Sequence, residues 1–138
     1  IVIAAPTASF VQAFSKIGLI PDAGGSWLLV ERLGLPRAMA LAMTGDKLMA
    51  DKAKEWGLIW EVAEDCVAAA LALADKLAVM PTKALVATRH LLRDAGTRSL
   101  EAHLNVERDT QSALGKTHDY MEGVNAFLQK RAPQFKGE

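Results

Sequence analysis

From Glu64 onward the sequence offers helix and almost no strand. Glu64 to Met80 is alanine-rich, with Val67, Leu71, Ala74 and Ala78 recurring on one helical face. Pro81 fits the opening of a second helix striped by Ala84, Leu85, Thr88, Leu91 and Leu92, and Gly96 suits its C-terminal end. Ser99 is a natural N-cap for a third helix reaching Leu114, where Gly115 stops it. Thr117 caps a fourth, carrying Tyr120, Val124, Phe127 and Leu128, which Pro133 cannot extend. Helices in series without strands must bury their stripes on each other, on the rest of the molecule or on another copy. Leu92, Leu100 and Leu104, with the alanine-rich faces, are candidates for a subunit interface, and an intramolecular core is the equal alternative.

The first 62 positions read differently. Ile1-Val2-Ile3-Ala4-Ala5 is an apolar run of the kind found in a buried strand. It lacks an initiator Met and has no strand of comparable quality nearby, which reads as the C-terminal piece of a longer protein. Ser9 to Phe14 forms a second extended segment and Pro21 to Gly25 a turn. A helix is expected from about Ser26 to Leu33, stopped by Gly34. Another opens near Pro36, carries Met39, Ala40 and Met43, and ends at Gly45. Ala50 to Trp56 is a short helix closed by Gly57, and Leu58 to Val62 is a strand. The fold class is therefore mainly α with short β segments, in two parts, residues 1–62 and 63–138.

Composition narrows the partners. The 138 residues carry 16 basic and 16 acidic side chains, hence no net charge, and this length sustains a real core. Neither nucleic acid nor an anionic membrane is expected as the main partner. The single cysteine, Cys66, excludes a disulfide framework and a cysteine metal cluster, and reads as a small apolar residue near a helix start. His90, His103 and His118 fall on separate predicted helices without metal-ligand spacing, so no metal is expected. With no bilayer-length apolar run and no signal peptide, the expected location is the cytoplasm.

One stretch carries chemistry. Ile17-Gly18-Leu19-Ile20-Pro21-Asp22-Ala23-Gly24-Gly25-Ser26-Trp27 sets a single carboxylate between a proline and a glycine pair, with apolar runs on both sides. Desolvation there would raise the pKa of Asp22 toward the working range of a general acid or base. The alternative is a turn former or N-cap ahead of Ser26. Gly24 and Gly25 let the backbone pass close to a substrate and start a helix whose N-terminus favours anions. Phe10, Phe14 and Trp27 offer apolar surface, to a core or to a ligand ring.

Three spaced signatures add to this. Ile20-Pro21-Asp22-Ala23-Gly24-Gly25 is the first. Leu41 to Gly45 followed by Ala50, Ala53, Gly57, Leu58 and Val62 is the second. Asp119, Glu122-Gly123, Ala126-Phe127, Lys130-Arg131, Pro133 and Phe135 form the third. In this order and spacing they resemble the crotonase superfamily, the enoyl-CoA hydratases and isomerases, over nearly the whole chain. The resemblance implies the C-terminal part of a crotonase fold: the end of its spiral β core, then a helical region used in trimers or in hexamers of paired trimers. It implies an acyl-CoA thioester substrate, with coenzyme A part of the substrate and no separate cofactor. Hydratases of the family use two glutamates. One lies in the segment preceding Ile1, and Phe14, which cannot transfer a proton, stands at the position of the other.

Asp22 matches the aspartate of certain isomerases, where hydratases usually have glycine. Phe14, Ile20, Pro21, Gly24 and Trp27 then surround Asp22 as the substrate pocket. Phe127 and Lys130 match positions that touch the adenine end of CoA, often across a subunit boundary, with an exposed basic helix end at Lys130-Arg131 as the alternative. Phe10 to Asp22 and Glu107-Arg108-Asp109 resemble the subgroup acting in phenylacetate degradation, which implies rearrangement of a ring epoxide of phenylacetyl-CoA to an oxepin. Otherwise Glu107 and Asp109 read as a solvated or ion-paired face. An enoyl-CoA double-bond isomerase or hydratase is the alternative enzyme, and a helical oligomerisation fragment the non-enzymatic one. The family's oxyanion donors lie ahead of Ile1, so the chain alone is expected to be inactive.

Overall fold

In the computed structural model, which describes residues 1–138, the backbone divides into two compact units, Ile1–Ala72 and Leu73–Glu138. The first holds four short strands: Ile3–Ala4 (β1), Ser9–Val11 (β2), Lys47–Met49 (β3) and Glu61–Val62 (β4). β1 does find a partner. It pairs in parallel with β4, Ile3 opposite Glu61 and Ala4 opposite Val62, and the Val2 and Ala4 carbonyls accept from Trp60 and Ala63. That partner comes from the other end of the unit's sequence, so neighbouring residues give no sign of it. β2 pairs antiparallel with β3, Phe10 opposite Leu48. β3 has no counterpart in the sequence reading: buried Leu48 between exposed Lys47 and Met49 is an alternation too short to recognise.

Gly25–Leu33 (α1) and Leu35–Thr44 (α2) follow each other across Gly34, with Pro36 in the first turn of α2 as expected. Leu29 and Leu33 from α1, with Ala38 and Leu41 from α2, meet Leu48, Ile59 and Ala4 in the core. Ala50–Glu55 (α3) presents Ala50 and Ala53, both wholly buried, so its backbone approaches the core at side-chain β-carbon range. The expected strand over Leu58–Val62 is confined to Glu61–Val62, because Ile59 turns into the core instead. At the edge, the Arg37 guanidinium lies 5.3 Å from the centre of the Trp56 ring and donates to the Trp56 carbonyl at 3.1 Å, while the Lys52 ammonium lies 5.9 Å from the same ring.

Cys66–Ala78 (α4) runs through the division between the units. The second unit continues with Thr82–Asp94 (α5), a 3₁₀ turn at Ala95–Thr97, Leu100–Leu114 (α6) and His118–Leu128 (α7). Both expected N-caps form: Ser99 Oγ accepts from the Ala102 N–H and Thr117 Oγ1 from the Tyr120 N–H. Gly96 does not cap α5. It sits inside the 3₁₀ turn, where the chain tightens rather than turning left-handed. α5 packs on α6, yet the buried residues of this unit are Ala126 and Asp119. Val67, Leu71, Leu92, Leu100 and Leu104 are exposed, so these stripe residues are not covered within the chain.

The contrast between the two apolar populations is measurable. Leu41→Ala should lower stability by about 2–5 kcal/mol in thermal unfolding, and Leu92→Ala by less than about 0.5 kcal/mol. A loss at Leu92 equal to that at Leu41 would show that the α5 stripe is covered in solution.

Candidate functional site

After β2 the chain does not stay extended to Phe14. It winds into a 3₁₀ turn at Ala13–Ile17, closed by Gly18 in the left-handed region, and the Phe14 carbonyl accepts from Leu19 at 2.9 Å. Phe14 is therefore half-buried on a helical turn. That turn rests on the end of α2. Gly45 closes α2 with φ 61°, and a β-carbon there would stand 2.9 Å from Lys16 Cε and 3.3 Å from the Gln12 carbonyl oxygen. The positive φ is what favours glycine at position 45; the Lys16 stem could swing aside, and the Gln12 carbonyl leaves a β-carbon little room.

Beyond it, Asp22 opens a tight turn. Its carbonyl accepts from the Gly25 N–H at 2.7 Å, and the two central residues, Ala23 (φ 48°) and Gly24 (φ 80°), both have positive φ. For Ala23 that conformation costs roughly 1–2 kcal/mol, held against the start of α1. Gly24 is the N-cap of α1 and no side chain caps the helix. The N-cap alternative for Asp22 is thereby excluded. The expectation of a desolvated carboxylate also needs correction: Asp22 is exposed, as are Ile20 (81%) and Trp27 (63%), because nothing within the first unit folds over this turn. Pro21 is half-buried, packed near Gly25. Of the six candidate residues, Ile20, Asp22, Gly24 and Trp27 are exposed and Phe14 and Pro21 half-buried, so they do not enclose a pocket within this unit.

Phe127 and Lys130 belong to the second unit. Phe127 is 83% exposed on α7. Past the helix the chain reverses: Lys130 N–H donates to the Phe127 carbonyl and Arg131 N–H to that of Ala126, with Lys130 at φ 53°. The Arg131 guanidinium then reaches both oxygens of Glu122, at 2.6 and 2.8 Å, and the Gln134 N–H joins Glu122 at 2.8 Å. One turn earlier, the Asp119 carboxylate accepts from the Lys136 and Gly137 N–H groups at 2.7 and 2.8 Å. The Phe135 ring lies against Gly123. Arg131 is therefore not part of a free basic helix end. A cavity of about 450 Å³ in this unit is lined by Pro81, Leu114, Tyr120, Val124, Phe127 and Phe135, among others.

The sequence model of the family described as enoyl-CoA hydratase/isomerase matches residues 1–138. The chain belongs to the enoyl-CoA hydratase/isomerase family. It is 51% identical over 140 residues to 1,2-epoxyphenylacetyl-CoA isomerase of Escherichia coli, a match covering 100% of the chain and 53% of that relative. It is 35% identical to 2,3-dehydroadipyl-CoA hydratase of the same organism, covering 99% and 54%. The crystal structure of enoyl-CoA hydratase from Bacillus anthracis superposes with a TM-score of 0.92 at 32% identity, again over 99% of this chain and 54% of that one. The chain thus spans about half the length of these relatives, and its architecture is part of a crotonase fold.

Within this family frame, the third sequence signature has a structural reason that the spacing alone did not show. Asp119, Glu122, Gly123, Arg131 and Phe135 build a strap that ties the C-terminal residues back onto α7. The i, i+3 spacing of the two acids on one helix face was the available signal, but their partners are mostly backbone N–H groups, which no sequence displays. On α6, Arg108 bonds Asp109 and Asn105, and Glu107 lies 3.4 Å from His103 Nε2, an ion-paired face as read. The Arg131 bond, reinforced by the Gln134 N–H, holds the Glu122 carboxyl down to about 2 from an ordinary 4.5, against burial. At Asp119 burial pushes upward, but the Lys136 and Gly137 N–H groups and His118 together take it below its ordinary value.

Both acids have lowered folded pKa values. Each stabilises the strap fully above its unfolded pKa, and that contribution disappears as pH falls through the folded value. For Glu122 the window runs from about 4.5 down to about 2. The Gln134 amide proton shift should titrate with a midpoint near 2 in NMR, and the titration should vanish in Glu122→Gln. A midpoint near 4.5 would show the Arg131 bond absent in solution.

Proposed function

We propose that this chain supplies the proton-transferring turn of a CoA-thioester isomerase, with Asp22 as the acid and base and Phe127 and Lys130 as contacts to the CoA moiety. The observation that carries the reading is that Asp22 has no structural task for its carboxylate. The helix behind it is capped by Gly24, and the turn is closed by the Asp22 main-chain carbonyl. Phe14 stands where the family's hydratases carry a glutamate, which removes the second carboxylate that water addition needs. The 51% identity to an epoxyphenylacetyl-CoA isomerase favours a ring-epoxide acyl-CoA as substrate, with an oxepin as product. The similarity to a hydratase keeps water addition as the rival reaction.

The chemistry follows from a thioester. Its carbonyl acidifies the adjacent carbon, and two N–H groups aimed at the carbonyl oxygen stabilise the enolate as charge develops. In this reading those donors come from outside residues 1–138, and the chain alone is inactive. Asp22 removes a proton at one carbon, the electron pair moves into the enolate, and the same carboxyl returns the proton at another. For a ring epoxide, enolate formation and collapse assist opening of the strained C–O bond and ring expansion. The positive φ of Ala23 and Gly24 fixes the turn, so the carboxylate approaches the substrate from a set direction. Exposed Ile20 and Trp27, with half-buried Pro21, offer the acyl group apolar surface to meet.

In a full-length protein containing this segment, Asp22→Asn should lower kcat on a ring-epoxide phenylacetyl-CoA by about 10²- to 10⁴-fold while KM changes little. Undiminished turnover would leave Asp22 a turn residue only. Rapid hydration of a straight-chain 2-enoyl-CoA by the unmodified protein would instead favour the hydratase reading.

A further inference from the structure

The CoA contact proposed for Phe127 and Lys130 leaves open what holds them in place, and the following inference rests on that reading. α7 does not do so by itself. Lys130 lies beyond the helix at φ 53°, a conformation that a residue with a β-carbon seldom keeps without external restraint. The restraint is the next residue. Arg131 Nε donates to Gln129 Oε1 at 2.8 Å, Nη1 to Glu122 Oε1 and to the Ala132 carbonyl, and Nη2 to Glu122 Oε2.

We infer that Glu122 and Arg131 are positioning residues: their bidentate pair holds the chain reversal after α7 and so sets the direction in which Lys130 projects toward the CoA phosphates or adenine. Two facts support the division of labour within the Lys130-Arg131 pair. All three guanidinium nitrogens of Arg131 are committed to partners inside this unit, so Arg131 is not the group that meets a ligand anion. Lys130 is exposed and has no carboxylate partner, so its ammonium is the free cation of the two. The other charged groups around Glu122 do not replace Arg131. His118 lies beside Asp119, at 3.4 Å from its Oδ1, and Asp119 holds the far end of the strap through Lys136 and Gly137. A fork geometry on a carboxylate resists rotation in a way that a single contact does not.

The test separates this inference from the reading beneath it. Coenzyme A binding is measured by calorimetry for a full-length protein containing this segment and for its Lys130→Ala, Glu122→Gln and Asp119→Asn variants. Lys130→Ala should weaken binding. Glu122→Gln should weaken it about tenfold, the scale of losing a charged hydrogen bond. Asp119→Asn, which loosens only the distal strap, should leave affinity within about twofold. The Lys130 amide coupling constant, which reports φ, should depart from its left-handed value in Glu122→Gln while the rest of the spectrum persists. Absence of binding by the unmodified protein, or no effect of Lys130→Ala, would remove the CoA reading and this inference with it. A loss at Lys130→Ala with none at Glu122→Gln would keep the CoA contact and overturn the positioning role. So would equal losses in Glu122→Gln and Asp119→Asn, since the strap would then be merely structural.

Discussion

The first unit depends on a contact made possible by a missing atom. Gly45 ends α2 with a positive φ, and the Lys16 stem and the Gln12 carbonyl come within 2.9–3.3 Å of where its β-carbon would stand. This lets the 3₁₀ turn at Ala13–Ile17 sit directly on the helix end. Phe14 rides on that turn, and the extended run to Asp22 leaves from it. The position of the candidate acid is thus inherited from a packing constraint in a helix that follows it in sequence.

The carboxylates divide by what surrounds them. Asp119 and Glu122 sit among N–H donors and a guanidinium, and their charge is spent on holding the chain together. Asp22 sits on a strained turn whose hydrogen bonds are all main-chain, and its side chain is exposed. Asp119 and Glu122 are committed to structural partners, and the Asp22 carboxylate has none. The same contrast separates Arg131 from Lys130. In both pairs the fold occupies one group and leaves the other available.

The helical elements were legible because their signals are local. Ser99 and Thr117 cap where hydroxyls precede an amphipathic run, Pro36 lies in the first turn of its helix, and Gly34 and Gly45 stop theirs. What stayed hidden was set by distant partners. β1 pairs with a strand from the far end of the unit, and β3 exists only because Ser9–Val11 is there to pair with it. The Asp22 turn was visible as a turn, but its exposure was not: apolar neighbours in sequence, Ile20 and Trp27 among them, turned out to be exposed alongside it. The strap residues were visible as a pattern and not as a mechanism, since three of the contacts to the two acids come from anonymous peptide N–H groups.

The cationic stack on Trp56 has an optical consequence. All three tryptophans, Trp27, Trp56 and Trp60, fall in the first unit, and the single tyrosine, Tyr120, in the second. Indole emission therefore reports residues 1–72 and is silent about the helices that follow. Among the three, Trp56 is the half-buried one, with a guanidinium and an ammonium near its ring, whereas Trp27 and Trp60 are bathed in solvent. Trp56 therefore reports the contact between α2 and the end of α3, whereas Trp27 and Trp60 report two exposed positions of the same unit.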